Sequence, residues 1–165
     1  MYNKGALSII IASFLVGFII GAFYTAFPVI DLQKPLGIFD SSSAKSSPSD
    51  RVKFHDIKVY DDKIIINVNG PYLAKFADTH SMEPVLDKKS TGLEIVPKSG
   101  KEIKVGDIIS YASQYSDDII IHRVIKIEYD SEGWYAITKG DNNTNNDPEK
   151  VRFSQVKRIL VGIIY

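Results

Sequence analysis

The chain has 165 residues, with 20 basic and 20 acidic side chains and no cysteine. This length suits one ordinary domain. The zero formal net charge and the lack of a Lys/Arg cluster argue against a nucleic-acid partner, because phosphate binders usually carry clustered positive charge. A sequence without cysteine excludes disulfide bridges and thiolate zinc sites.

The first predicted element is a membrane-spanning helix at residues 5–30, after a short tail at residues 1–4. These 26 positions contain no charged side chain, and 19 of them are apolar. At ~1.5 Å per residue, such a helix reaches about 39 Å, more than the roughly 30 Å of the hydrocarbon core. We therefore expect a retained anchor in the lipid bilayer. Gly17 and Gly21 form a GxxxG pair, a spacing too common in membrane helices to predict pairing by itself.

Two other interpretations of residues 5–30 rank below a retained anchor. A cleavable signal peptide usually has an apolar stretch of about 7 to 15 residues and an A-x-A-like site, and no convincing site follows here. A buried helix of a soluble protein ranks third, because a chain of this size is too small to bury a helix that is apolar on every face. Lys4 on one side and Lys34 and Lys45 on the other leave the orientation undecided.

Residues 31–51 are predicted to form a flexible linker. Pro28 and Pro35 end the helical pattern, and the Ser-rich run from Ser41 to Asp50 has too few apolar residues to order itself. The folded domain is therefore expected at residues 52–165.

This domain is predicted to be mainly β. Short runs rich in branched and aromatic residues alternate with turns that contain Gly, Pro, Asn and Ser. Eight strands are predicted, at Ile57–Tyr60, Ile64–Val68, Tyr72–Ala77, Leu93–Val96, Asp107–Tyr111, Ile119–Tyr129, Trp134–Thr138 and Ile159–Ile164. Eight short strands suggest a closed or nearly closed β-domain. The last run is too short for a second membrane span, so it should end as a core strand.

Ser81 is a candidate nucleophile. It lies in the run Asp78-Thr-His-Ser-Met-Glu-Pro84, where an extended segment meets a turn that contains proline. A serine hydrolase needs a hydroxyl on a rigid turn, a base within hydrogen-bond reach and a third group that orients the base. Taken alone, Ser81 is better explained as a serine that caps a turn.

Three histidines are available as the base. His55 stands near the start of the predicted domain. If the segment that enters Ser81 is extended, His80 points away from it, because neighbouring side chains of a strand face opposite sides. His122 remains, within the aliphatic run Ile119–Ile125. A lone histidine in such a strand is more often a core residue than a catalyst.

The third candidate group lies in the loop Lys139–Pro148, which carries Asp141 and Asp147. The ordinary explanation of this loop is a solvated turn, for which Asn, Asp, Gly and Pro are the expected residues. A calcium loop is disfavoured, because Asn146 stands where position six requires glycine and Arg152 where position twelve requires an acidic residue.

Four short motifs follow one another between Ser81 and Tyr165. They are Ser-Met-Glu-Pro at 81–84, Val-Gly-Asp-Ile-Ile at 105–109, Ile-Ile-His-Arg-Val at 120–124 and Lys-Gly-Asp-Asn-Asn at 139–143. In this order, and after an apolar N-terminal segment, they resemble the type I signal peptidases. The histidine at position 122 makes the chain resemble the archaeal and endoplasmic-reticulum branch, whose base is a histidine. Bacterial enzymes have a lysine base at the corresponding position.

The resemblance implies a signal-peptidase-like β-barrel or coiled β-sheet domain, with one N-terminal transmembrane helix. It implies a membrane-bound serine endopeptidase that cleaves N-terminal signal peptides from secreted and membrane preproteins. Ser81 would be the nucleophile, His122 the general base, Asp147 the essential acidic partner and Asp141 a supporting carboxylate. The substrate would bind as an extended strand, for which Tyr72–Asp78 is a suitable pairing edge.

The family needs no metal or organic cofactor, and it holds its catalytic domain on the extracytoplasmic side of the cell membrane or in the reticulum lumen. Neither the substrate set nor the need for accessory subunits follows from the motifs. His80 departs from the family pattern, since many relatives have a small residue there.

Two alternative functions remain open at this point. A membrane-anchored, non-catalytic β-domain that binds an extracytoplasmic partner would use the same Ser, His and Asp as turn and core residues. Its structure would hold Ser81 far from His122. A self-cleaving regulator of the same broad scaffold is disfavoured, because that group uses a Ser-Lys pair and a soluble DNA-binding head.

Overall fold

The computed structural model describes residues 45–165. The predicted tail and membrane helix at residues 1–30, with the GxxxG pair, lie outside the described residues, as does the predicted linker up to residue 44. Between residues 45 and 165, no helix is long and apolar enough to cross a membrane.

Nine strands and three short 3-10 helices form the described part of the chain. The strands are β1 (Ile57–Val59), β2 (Ile64–Ile66), β3 (Tyr72–Lys75), β4 (Thr91–Ile95), β5 (Ile108–Ala112), β6 (Ile119–Asp130), β7 (Gly133–Lys139), β8 (Val151–Arg152) and β9 (Val156–Ile164). The 3-10 helices are Phe54–Asp56, Gly100–Glu102 and Phe153–Gln155. The prediction of a mainly β fold is confirmed.

The predicted strands all appear, with ends that shift by up to three residues. The strand that the sequence missed is β8, which pairs Val151 with Ala136 and Arg152 with Tyr135 of β7. Two residues are too short a run to display the alternation from which a strand is recognised.

Seven strands form one antiparallel sheet in the order β3-β4-β9-β5-β6-β7-β8, and β1 pairs only with β2. The edges of the larger sheet are β3 and β8, and in the described residues no pairing joins them. The eight predicted strands suggested a closed or nearly closed domain. Among the described strands β3 has β4 as its one neighbour, so the hydrogen bonding within residues 45–165 leaves the sheet open.

The long strand β6 has different neighbours along its length. Ile119–Arg123 pair with β5, whereas pairing with β7 begins only at Arg123 and continues to Asp130. A register shift between Val124 and Lys126 marks a bulge in β6. The first four residues of β6 therefore have a strand partner on one side only.

Two apolar clusters lie against this sheet. The larger one joins β5, β6, β7, β8 and β9 through Ile103, Ile109, Tyr111, Val124, Ala136, Val151 and Ile159. The smaller one contains Met82, Leu86, Ile108 and Leu160. Burial of an aliphatic side chain of this size stabilises a fold by about 1.5–3 kcal/mol. The smaller cluster thus anchors the segment after β3 to β5 and β9.

The described end of the predicted linker, residues 45–51, contacts the sheet domain. The backbone N–H of Ser49 donates to Asp107 Oδ1 over 2.8 Å, and Arg51 Nη2 lies 2.5 Å from Asp107 Oδ2. Asp107 is fully buried, so these contacts satisfy its carboxylate. The packed part of the chain therefore begins before residue 52, where the sequence had located the domain boundary.

Candidate active site

Ser81 lies in a turn after β3, and the segment before it is not extended. His80 has φ of +59°, in the left-handed region that few residues other than glycine adopt, and turn residues continue to Val85. Met82 is 3% exposed and packs beneath the turn, while the backbone N–H of Asn142 donates to the Ser81 carbonyl over 2.9 Å. These contacts hold the Ser81 hydroxyl on a fixed turn.

The extended geometry on which we excluded His80 was therefore wrong, because the backbone turns at this residue. The His80 side chain is nonetheless engaged elsewhere: its Nδ1 lies 2.7 Å from Glu83 Oε1 in an exposed pair. The hydrogen bond and negative charge of Glu83 raise the pKa of His80. His55 is exposed in the first 3-10 helix, where its side chain contacts Asp56.

Ser81, His122 and Asp147 form one hydrogen-bonded chain. His122 Nε2 lies 3.1 Å from Ser81 Oγ, and His122 Nδ1 lies 2.7 Å from Asp147 Oδ2. With a neutral imidazole protonated at Nδ1, the Nδ1–H donates to Asp147 and Nε2 accepts the Ser81 hydroxyl proton. The large Ser81–His122 separation expected of a non-catalytic domain does not occur.

Two side chains that the sequence analysis did not identify support Asp147. Tyr111 donates its hydroxyl to Asp147 Oδ2 over 2.9 Å, and Thr138 Oγ1 donates to the same oxygen over 2.6 Å. The backbone N–H of Asp147 also donates to the Thr138 carbonyl over 2.8 Å. In sequence, both residues are ordinary members of strands, and only the strand order brings them to Asp147.

Burial and hydrogen bonding oppose each other at Asp147. The His122 and Asp147 side chains are only 9% and 11% exposed. Burial by itself raises the pKa of Asp147, but hydrogen bonds from His122, Thr138 and Tyr111 outweigh it and hold this pKa below its usual value. Burial also raises the pKa of Tyr111, so its hydroxyl stays protonated as a donor. Asp147 is therefore ionised at neutral pH.

Asp141 is tied to the residue after His122 and has no contact with Ser81 or His122 among the hydrogen bonds of the described residues. Arg123 Nε donates to Asp141 Oδ1 over 2.8 Å, and Arg123 Nη2 donates to Oδ2 over 2.6 Å. Both side chains are almost fully buried. Burial by itself raises the pKa of Asp141. The bidentate hydrogen bonds and the charge of Arg123 lower it by more, so this pKa lies below its usual value.

The two carboxylates of the loop after β7 are thus directed to different partners. Asp141 binds Arg123, and Asp147 binds His122. Within residues 45–165, no group of three or more His, Asp or Glu side chains is arranged to hold a metal ion.

A groove of about 660 Å³ opens beside Ser81 and His122. One wall consists of β3 and the residues that continue it, Tyr72–Ala77, and the other includes Asp118–Ile121 at the start of β6. In the part of the chain that the structure describes, each of these strands is paired on one side only, β3 with β4 and the start of β6 with β5. The groove therefore lies between two strand segments with free backbone edges.

A serine hydroxyl, an imidazole and a carboxylate in this hydrogen-bonding order are the arrangement of serine hydrolases that use histidine as the base. A turn-borne hydroxyl beside a groove with free strand edges is typical of those that act on extended peptides. The described sheet thus places Ser81, His122 and Asp147 in the hydrogen-bonding order that such a reaction requires.

Several curated proteins are similar to this chain. It is 31% identical over 105 residues to the signal peptidase complex catalytic subunit SEC11 of Scheffersomyces stipitis, and 30% identical over 105 residues to that of Candida albicans, in each case covering 61% of both chains. It is 33% identical over 70 residues to the corresponding subunit of Schizosaccharomyces pombe, covering 39% of this chain and 36% of the relative.

The resemblance to signal peptidases that the four motifs indicated is therefore confirmed. The chain spans 61% of the length of the first relatives, less than two thirds. No protein-family model matches the chain, and no solved structure does so either.

Proposed function

We propose that the protein is a membrane-bound serine endopeptidase that cleaves N-terminal signal peptides from secreted and membrane preproteins. The observation that carries the proposal is the hydrogen-bonded chain from Ser81 Oγ through His122 to Asp147. Similarity to signal peptidase catalytic subunits supports the choice of substrate. In this proposal the sheet is a signal-peptidase-like catalytic domain, and residues 5–30 anchor it as a single membrane span.

The reaction starts with neutral His122. Its Nε2 takes the proton of the Ser81 hydroxyl while Oγ attacks the carbonyl carbon of the scissile bond. His122 then gives this proton to the leaving amine, and the broken C–N bond leaves an acyl-enzyme on Ser81. A water molecule hydrolyses the ester, again with His122 as the base, and Ser81 recovers its proton.

Asp147 orients the His122 ring and stabilises its charged form. It accepts the Nδ1–H of His122, which fixes the tautomer and stabilises the imidazolium that forms during attack. Tyr111 and Thr138 both donate to the oxygen that faces His122, so they keep the carboxylate ionised and correctly aimed. Tyr111 and Thr138 are therefore positioning residues, which act on the substrate only through Asp147 and His122.

Two donors beside Ser81 suit the oxyanion that develops on the substrate carbonyl. One is the backbone N–H of Ser81 itself, and the other is the hydroxyl of Thr79, whose Oγ1 lies 3.1 Å from Ser81 Oγ. A single oxyanion donor contributes about 2.7–4 kcal/mol in serine peptidases. We therefore assign Thr79 as the second oxyanion donor in this proposal.

The substrate binds as an extended strand along the edge of β3. A free strand edge supplies main-chain hydrogen bonds to any peptide, and the pockets below it select side chains. Because β3 runs directly into the turn that carries Ser81, a peptide paired with β3 leads its carbonyl groups toward the nucleophile. By resemblance, small residues are required at the first and third positions before the cut.

In this proposal the reaction takes place at the membrane surface. A single span at residues 5–30 would hold the catalytic domain on the extracytoplasmic side, where translocated precursors emerge. The relatives are named as catalytic subunits of a complex. For this chain the proposal requires only the bilayer and an extended precursor.

The test uses the full-length protein, purified in detergent, with one secretory precursor. Wild type should release the mature protein, and Ser81→Ala should not. Ser131→Ala is the matched control, because Ser131 is an exposed turn residue outside the groove. Equal processing by Ser81→Ala and wild type would reject the proposed function.

A further inference from the structure

Two polar side chains of the groove have no part in the catalytic chain. Glu94 of β4 and Ser110 of β5 line the same cavity as Ser81 and His122. Glu94 is 1% exposed and Ser110 is 4% exposed. Within residues 45–165, neither Glu94 Oε1 nor Ser110 Oγ has a hydrogen-bond partner.

Unpaired polar atoms are unfavourable at such positions. A buried hydroxyl or carboxyl without a partner has lost its hydration without replacement, and an apolar side chain of similar shape avoids that loss. Native structures leave few buried groups in this condition. At Glu94 and Ser110, a bound group that completes their hydrogen bonds is therefore favoured over an apolar group.

The strand register gathers these residues on one face of the sheet. Ser110 stands opposite Arg158 of β9, and Glu94 stands opposite Leu160, two residues further along the same strand. Residues directly opposite each other, and those two apart along a strand, share a face. Glu94, Ser110 and Arg158 all line the groove, so the polar pair and the cation belong to a single part of it.

Arg158 does not neutralise Glu94 by an ion pair. Its guanidinium lies 3.7 Å from the centre of the Tyr72 ring, and among the described residues no ion pair joins it to Glu94. Burial raises the pKa of Glu94, an effect that the nearby Ser110 hydroxyl and the charge of Arg158 only partly oppose. The Ser110 hydroxyl thus lies close to the carboxyl but forms no well-aligned hydrogen bond with it. A carboxyl in this state accepts hydrogen bonds and, when protonated, also donates one.

We propose that Glu94 and Ser110 form a polar subsite of the groove that binds a hydroxyl-bearing side chain, serine or threonine, of the extended peptide. The inference rests on the proposed function, because it takes the groove as the peptide site. A hydroxyl both donates and accepts, so it satisfies Glu94 Oε1 and Ser110 Oγ together. Arg158 disfavours a lysine or arginine at this position, and Glu94 disfavours a carboxylate.

The test compares serine with 2-aminobutyrate, which replaces the hydroxyl by a methyl group of nearly equal size. Full-length protein in detergent cleaves one signal-like peptide in which each position in turn carries either residue. At one position kcat/KM should favour serine by about tenfold, because the methyl analogue leaves the buried polar groups unpaired. Threonine against valine at that position should give the same preference.

Two variants connect this preference to the two side chains. Glu94→Leu and Ser110→Ala should each reduce the serine preference to about onefold or reverse it. Ser113→Ala is the matched control, because Ser113 bonds Glu149 outside the groove and its loss should leave the preference unchanged. Should Glu94→Leu fail to fold, Ser110→Ala still decides the question.

Thermal stability separates a binding role from a structural one. Removal of an unpaired buried carboxyl should leave the melting temperature of Glu94→Leu equal to wild type or higher. A lower melting temperature with an unchanged serine preference would make Glu94 a structural residue and overturn the polar subsite.

Binding measurements separate this inference from the proposed function. Affinities of the same labelled peptides are measured with Ser81→Ala and with the double variant Ser81→Ala, Glu94→Leu. A serine preference in binding that disappears in the double variant, without cleavage by wild type, would reject the peptidase and keep the polar subsite. Equal cleavage and equal binding of serine and 2-aminobutyrate peptides at every position would overturn the subsite and leave the peptidase intact.

Discussion

His122 and Arg123 are neighbours in β6, yet they bind the two different carboxylates of the loop after β7. His122 Nδ1 lies 2.7 Å from Asp147 Oδ2, whereas Arg123 makes a bidentate pair with Asp141. Adjacent residues of a strand face opposite sides of the sheet. The loop is therefore fastened on both sides of β6, and the two carboxylates have separable functions.

The first prediction separates these functions by mutation. Asp147→Asn keeps the shape but removes the charge that stabilises the His122 imidazolium, so kcat should fall by up to roughly 10⁴-fold. Asp141→Asn should cost less in rate and more in stability, because loss of one partner of a buried ion pair typically destabilises a protein by about 3–5 kcal/mol. Cleavage rate and melting temperature are measured for both variants in one detergent.

The opposite result would exchange the two assignments. A folded but inactive Asp141→Asn, together with near-normal activity of Asp147→Asn, would make Asp141 the partner of the base. The exposed pair of Lys63 and Asp62 offers a control. Asp62→Asn should change neither the rate nor the melting temperature greatly, since exposed ion pairs contribute little.

The sequence predicted the catalytic candidates better than it predicted their surroundings. Ser81, His122 and Asp147 stand 41 and 25 residues apart along the chain, so no local pattern joins them, and only the combination of motifs indicated that they meet. Tyr111 and Thr138 carry no motif. They reach Asp147 because β5 and β7 flank β6, and strand order is a property of the whole sheet.

Backbone conformation was harder still to predict. Histidine at position 80 gives no signal for a left-handed turn, because glycine or asparagine is the usual residue there. The pairing of β8 with β7 depends on long-range contacts and leaves no periodic pattern in two residues. By contrast, runs of branched and aromatic residues bounded by turn residues predicted the other strands correctly, because both signals are local in sequence.

The second prediction is a loss of activity on acidification. His122 must be neutral to accept the Ser81 proton, so kcat/KM should fall when acid protonates the base. His80 is an exposed histidine whose pKa is raised by Glu83, and it titrates without touching the Ser81 hydroxyl. His80→Asn should therefore keep the wild-type profile, since asparagine tolerates the left-handed turn. A flat profile in wild type would point to another base.

The third prediction concerns acid unfolding. The pKa of Asp141 is lowered in the folded protein, because hydrogen bonds and charge from Arg123 outweigh its burial. The stability from this pair is fully present above the ordinary Asp value of about 3.9 and is lost as the pH falls toward the lower folded-state pKa. Between pH 5 and 2 the melting temperature should decrease less steeply in Asp141→Asn than in wild type. Parallel curves would show that the pair does not contribute to the acid transition.

The fourth prediction concerns the membrane segment. Deletion of residues 1–44 leaves the contacts of residues 45–51 with Asp107 intact. The truncated protein should cleave a short soluble peptide almost as well as the full chain, but process a membrane-embedded precursor more slowly. The reason is that an anchor raises the effective concentration at the bilayer without building the site. Equal losses on both substrates would mean that residues 1–44 contribute to the site itself.

The fifth prediction concerns the Tyr111 hydroxyl, which donates a hydrogen bond to Asp147. Tyr111→Phe removes the donor at 2.9 Å from Asp147 Oδ2 but keeps the ring in the apolar core. The hydrogen bonds from Thr138 and from His122 itself still hold the carboxylate. We therefore expect kcat to fall by about tenfold, which corresponds to a loss of roughly 1.4 kcal/mol, and KM to stay unchanged. Tyr115→Phe, at an exposed residue, is the control and should retain full activity. The double variant Tyr111→Phe, Thr138→Val should approach the rate of Asp147→Asn. If the double variant is as active as wild type, the two hydroxyls do not position Asp147.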